Sequence, residues 1–163
     1  MIAVSDTSPL CYLILIGEVN LLTRLFDSVC VPHIVLDELL HEDAPKAVRS
    51  WAADLPSWMP VHENPHGFSA PPARLQAGEQ SAILLAEKLG AEIVVIDEKA
   101  GRRAAAERGL RVTGTLDVLS EAATRDLIDL TSAIERLRET NFRYSPALLR
   151  ATLERFGGKR MPR

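Results

Sequence analysis

Apolar residues along this chain come as short runs and helical stripes in alternation. Residues 1–5 (MIAVS) form an apolar run that ends at Asp6-Thr7-Ser8-Pro9. Proline at the first helical position behind a Ser or Thr cap starts a helix, so strand, turn and helix are expected in that order. Gly17 then separates helical stretches at 9–16 and 18–26. A strand is expected over 28–31, with helices over 32–41 and 44–54. A short strand at 58–62 leads into residues 63–77, which hold three prolines and no periodicity and read as a loop. Gly78 opens a helix over 79–89, stopped by Gly90. Ile93 to Ile96 are four consecutive β-formers, as in a strand buried on both faces. A helix over 99–108 closes at Gly109, and a short strand follows over 111–113. Helices are expected over 116–124, 132–139 and 146–156, with the chain fraying from Gly157. Strands alternating with helices across the first 115 or so residues imply the α/β class, with a mostly parallel sheet wrapped by helices.

Composition narrows this picture. The chain has 163 residues, 47% hydrophobic and 25% charged, which suits one globular domain and argues against disorder. No apolar run approaches the roughly 18 residues of a membrane helix. Residues 10–17 are apolar but short, and Asp6 precedes them where a signal peptide carries positive charge. A cytoplasmic protein is expected. Cys11 and Cys30 lie in apolar stretches and read as buried, reduced thiols. The net charge of −3 is unevenly spread: residues 136–163 carry +6 and the remainder −9. An acidic body with a basic tail needs an explanation.

The acids supply one. In open α/β sheets ligands bind outside the carboxyl ends of the strands, where Asp6 and Asp97 fall. Thr7 and Ser8 stand closer to Pro9 and can cap its helix, leaving Asp6 free. Asp97 serves equally as a ligand or as a cap for the helix near Lys99, and Glu98 competes with it for an acid role. At about 100° per residue, Glu38 lies at the margin of its helix's buried face while Asp37 faces solvent. Glu79 shares the apolar stripe of Ile83 and Ala86 and is aimed inward. Several ionised carboxylates converging on one cleft cannot stay unpaired. An all-oxygen acidic cluster suits a hard divalent cation, Mg²⁺ or Mn²⁺.

The same residues carry a resemblance. Val4 to Leu10 (VSDTSPL), Val31-Pro32 with Leu36-Asp37-Glu38-Leu39, Gly78 to Ile83 (GEQSAI), and Ile96-Asp97-Glu98 with Arg102 and Ala106 together resemble a PIN domain. The nearest likeness is to prokaryotic PIN-like proteins related to VapC toxins. The resemblance runs from Ile2 to about Glu154. It implies a three-layer α/β/α fold with a mostly parallel central sheet, and a single domain over 1–156 with a flexible basic tail over 157–163. It also implies a Mg²⁺- or Mn²⁺-dependent endoribonuclease, held inactive by a cognate antitoxin protein and forming a homodimer. By position, Asp6, Glu38, Glu79 and Asp97 match the family's metal-binding and catalytic acids. Glu79 stands where many members have Asp. Thr115, after the last strand, matches a Ser or Thr near the metal, although its position also suits a helix cap.

An acidic site repels RNA, so basic side chains must hold the phosphates. Arg102 and Arg103 are the nearest candidates for substrate binding, with Arg108, Arg111 and the tail from Arg136 behind them; a solvated basic face is the alternative. His62 and His66 only superficially resemble a metal pair. No Gly-rich phosphate loop, receiver-type acid pair or Asp-x-Asp-x-Thr motif occurs. The rival reading is a catalytically silent PIN-like module acting through partners.

Overall fold

In the computed structural model, β1 (Ile2–Ser5) is the middle strand of a five-stranded, all-parallel sheet of order β3-β2-β1-β4-β5. The structure describes residues 1–66 and 74–142, together with 150, 152 and 154. The other strands are β2 (Ser28–Pro32), β3 (Val61–His62), β4 (Ile93–Val95) and β5 (Arg111–Thr113). Ala3 of β1 faces Val29 of β2 on one side and Ile93 of β4 on the other.

Alternation along these strands divides the core into two layers, because successive side chains leave opposite faces of a sheet. Ala3, Val29, Val31, Ile93 and Val95 pack with α1 (Thr7–Leu15), α2 (Leu21–Leu25), α3 (His33–Leu40), α4 (Lys46–Ala52), α7 (Thr115–Thr124) and α8 (Leu130–Arg138). Val4, Cys30, Val94 and Ile96 pack with α5 (Ala77–Leu89) and α6 (Lys99–Glu107). The fold is therefore the three-layer α/β/α arrangement expected of the sequence, with helices covering both faces of a parallel sheet. Among the described residues no helix is long and apolar enough to cross a membrane.

Element boundaries differ from the sequence pattern mainly at helix starts. The first helix begins at Thr7, two residues ahead of Pro9. Proline fits there because N–H groups of the first turn lack intrahelical partners anyway. α5 likewise begins at Ala77, so Gly78 lies inside its first turn, and Gly90 closes it in the left-handed conformation at φ 65°. Residues 150, 152 and 154 are helical; the rest of the expected helix over 146–156, the tail over 157–163 and residues 67–73 of the loop lie outside the described residues. Cys30 is buried and Cys11 only partly so; both are free thiols.

Topology positions the site. From β1 the chain builds β2 and β3 on one side, then crosses to β4 and β5 on the other. That reversal opens a crevice at the carboxyl ends of β1 and β4.

Candidate functional site

Asp6 and Asp97 stand at this crevice because each follows one of the two strands flanking it. The Asp6 N–H extends the ladder by donating to the Val95 carbonyl at 2.9 Å. The Asp6 carboxyl is 5% exposed and caps nothing, although it stands at the N-cap of α1. Burial pushes its pKa up to about 7; the Thr7 N–H opposes that rise, and the charges of Glu79, Glu38 and Asp97 add to it. Asp6 therefore senses the charges of all three other candidate acids from the crevice.

Glu38 comes from α3, partly buried, while Asp37 beside it is exposed, as helix geometry predicts. The Thr7 hydroxyl donates to Glu38 Oε2, tying α3 to the start of α1. Gly78 on α5 completes this corner. A Cβ there would lie 2.9 Å from Glu38 Oε1 and 3.1 Å from Asp6 Oδ1. A side chain there would push the Glu38 carboxylate away from this corner.

Glu79 follows Gly78 and is 2% exposed. Its Oε1 accepts the Gln76 N–H at 3.1 Å, but its Oε2 is buried without a hydrogen-bond partner. Burial raises its pKa, partly offset by the Gln76 N–H, and the charges of Glu98 and Glu38 raise it further. That oxygen points toward Gly101 of α6, where a Cβ would collide with it and stand 2.8 Å from Ile96 Cγ2.

Asp97 is held from the side of β5. It accepts the Thr115 N–H and the Thr115 hydroxyl, each at 2.7 Å. It thus serves the start of α7 and not that of α6. Burial raises its pKa, the two Thr115 bonds and the Arg102 charge lower it, and Asp117 raises it again. Glu98, the neighbouring competitor, is exposed. Thr115 is fully buried and directed at Asp97.

The basic candidates divide. Arg102 donates Nη1 to the Ile96 carbonyl at 3.0 Å and Nη2 to Asp117 at 3.1 Å, so its guanidinium is committed to protein acceptors. Arg103 is exposed and pairs with Glu107 on its own helix at 3.1 Å. Arg136 anchors α8 to the Ile16 carbonyl and to Glu18. Asp117 is the participant that sequence reasoning missed. Its position three residues after the N-cap Gly114, whose N–H it accepts at 2.8 Å, is a capping spacing visible in the sequence.

A hard divalent cation has the right donor chemistry here: carboxylate oxygens, one of them buried and unpartnered. The oxygens are spread around the crevice, however. Among the described residues no three His, Cys, Asp or Glu side chains are gathered as a ready ligand set. Asp6 and Glu38 meet at Gly78, Asp97 rests on Thr115, and Glu79 turns to Gly101. A recess of about 480 Å³ lined by Cys11, Ile34, Glu38, His41, Ala44 and Pro45 adjoins the Glu38 corner. A larger one of about 530 Å³, along β5 and α7, contains none of the four acids. Burial, together with the charges of Asp6 and Glu38, pushes the Cys11 thiol up to about 11, which leaves it protonated and a poor nucleophile.

A model of the DUF3368 family, described as a PIN domain, matches residues 2–158 of the chain. No curated protein and no solved structure matches it.

Proposed function

The chain belongs to the PIN-domain family, and on that footing we propose that it is a Mg²⁺- or Mn²⁺-dependent endoribonuclease that hydrolyses RNA phosphodiester bonds as the toxin of a toxin–antitoxin pair. The observation that carries this reading is the buried, unpartnered Oε2 of Glu79, on a carboxyl near enough to Asp6 and Glu38 for their charges to interact. Leaving a buried charged oxygen unsatisfied costs free energy, and a cation would remove that cost.

Asp6, Glu38, Glu79 and Asp97 would hold the ion. When bound, such an ion acidifies water and offsets the charge developing on the scissile phosphate. Asp6 and Asp97 would supply carboxylate oxygens from the ends of adjacent strands, giving up their protons to the ion. Glu38, next to the open recess, or Glu79 orients the attacking water and takes its proton. Thr115 keeps Asp97 in place through two hydrogen bonds. Exposed Arg103, Arg111 and Arg138, together with the basic residues that the sequence places after position 142, would attract the RNA backbone. A single domain over 1–156 with a basic tail over 157–163, a homodimer, an antitoxin partner and a cytoplasmic location complete the proposal.

An RNA cleavage assay with and without EDTA tests it. Wild type is expected to cleave only with Mg²⁺ or Mn²⁺, and Asp6→Asn and Asp97→Asn to lose about 10²-fold or more of that activity. Cleavage that survives both EDTA and Asp6→Asn refutes the assignment. The dispersal of the four acids favours one second reading, a catalytically silent module acting through protein partners. In that case wild type leaves RNA intact at every metal concentration.

A further inference from the structure

Arg102 reaches from α6 across the ends of β4 and β5. Nη1 donates to the Ile96 carbonyl at 3.0 Å, and Nη2 donates to Asp117 Oδ2 at 3.1 Å. The same Asp117 oxygen accepts the Gly114 N–H at 2.8 Å. One guanidinium and one carboxylate thus join two turns: Ile96-Asp97 after β4, and Gly114-Thr115 after β5. Asp97 sits at the junction, accepting the N–H and hydroxyl of Thr115 at 2.7 Å each. Gly114 permits this closeness, because a Cβ there would lie 2.5 Å from Arg102 Nη1 and 2.7 Å from Asp97 Oδ1.

The planar fork of arginine suits this task. It satisfies two acceptors in fixed directions, which a lysine ammonium on a flexible stem does not. With one prong on the partly buried Ile96 carbonyl and the other on exposed Asp117, Arg102 has both ends of its fork engaged by protein acceptors. We propose that Arg102, acting with Asp117, is a positioning residue that fixes the orientation of Asp97 at the acidic crevice. This rests on Asp97 being a ligand for the cation, and it identifies what holds that ligand in place. Groups that orient a metal ligand matter nearly as much as the ligand, commonly by about 10- to 100-fold in affinity.

The test compares wild type with Arg102→Gln, Arg102→Lys and Asp117→Asn in the full chain. Arg125→Gln, which removes an exposed charge paired with Glu121, serves as the control. Amide hydrogen exchange at Thr115 is measured without metal, and Mn²⁺ affinity is measured by titration. Arg102→Gln is expected to speed Thr115 exchange about tenfold or more by opening the turn locally. It is also expected to weaken Mn²⁺ binding by about 10- to 100-fold. Asp117→Asn reproduces the pattern from the other end of the clamp, so a folding defect in one variant does not decide the result. Arg102→Lys leaves most of the loss in place. If Arg102→Gln leaves both Thr115 exchange and Mn²⁺ affinity as in wild type, Arg102 does not position Asp97 and the proposal falls. Full recovery by Arg102→Lys overturns it too, since charge alone would then suffice. If wild type binds no Mn²⁺ but Thr115 exchange responds to Arg102→Gln, the clamp stands and the metal reading fails.

Discussion

Asp6 concentrates the electrostatic tension of the crevice. Its carboxyl holds a proton up to about pH 7 in the folded protein, against an ordinary value of 3.8. Folding therefore raises its proton affinity. The stability this contributes is fully present below about pH 4 and is lost as pH rises through about 7, and Glu79 and Asp97 shift in the same direction. For Asp6 alone the change is on the order of 4 kcal/mol. Urea unfolding of the metal-free protein is expected to show lower stability at pH 8 than at pH 5, and Asp6→Asn to flatten the difference. Equal wild-type stability at the two pH values would contradict the burial assigned to Asp6. Such a site is stable when neutral or occupied and strained when ionised and empty.

At the scale of elements, the acids depend on how each helix begins. α3 carries Glu38, yet its N-cap position is Pro32, which has no side-chain acceptor. Asn64, beyond β3, provides one by accepting the Ile34 N–H at 2.7 Å. Asn64→Ala is expected to cost about 1 kcal/mol in chemical denaturation, the usual worth of a lost cap. No change in the denaturation midpoint would show that solvent satisfies Ile34 equally well. The aperiodic loop over 63–77 identifies this segment as irregular, but nothing local pairs Asn64 with a residue thirty positions earlier. By contrast, Gly78-Glu79 at the start of α5 and Gly114-x-x-Asp117 at the start of α7 are patterns within one helical turn and can be read directly.

At the scale of the molecule, sheet order brings together acids that lie 91 residues apart in number, Asp6 and Asp97, because β1 and β4 are neighbours. On the proposed reading, an ion bound at this junction would link folding to metal. Mn²⁺ at a hundred times its Kd should add about 2.7 kcal/mol to the stability of the wild type. Glu79→Gln is expected to separate the two states. Without metal it is at least as stable as wild type, since an amide replaces an unpartnered buried carboxylate. With Mn²⁺ it gains little. Thermal melts of both proteins, with EDTA and with Mn²⁺, measure this directly. An undiminished Mn²⁺ shift in the variant would remove Glu79 from the site.

Alone, the sequence determined what depends on near neighbours: the order of strands and helices, the inward aim of Glu79, the solvent-facing Asp37, and the strand-end positions of Asp6 and Asp97. These follow from side-chain periodicity and from turn and cap residues, which act within about one turn of helix or one pleat of strand. Only the tertiary structure decided that Asp97 rests on Thr115 and not on α6, that Arg102 is spent on Ile96 and Asp117, and that one oxygen of Glu79 is left without a partner. The Asp97–Thr115 and Arg102–Asp117 bonds follow from β4 and β5 lying side by side, and the Glu79 oxygen from the packing of α5 against α6. A buried polar group takes the partner that sheet order brings within hydrogen-bond distance, and that order is a property of the folded chain as a whole.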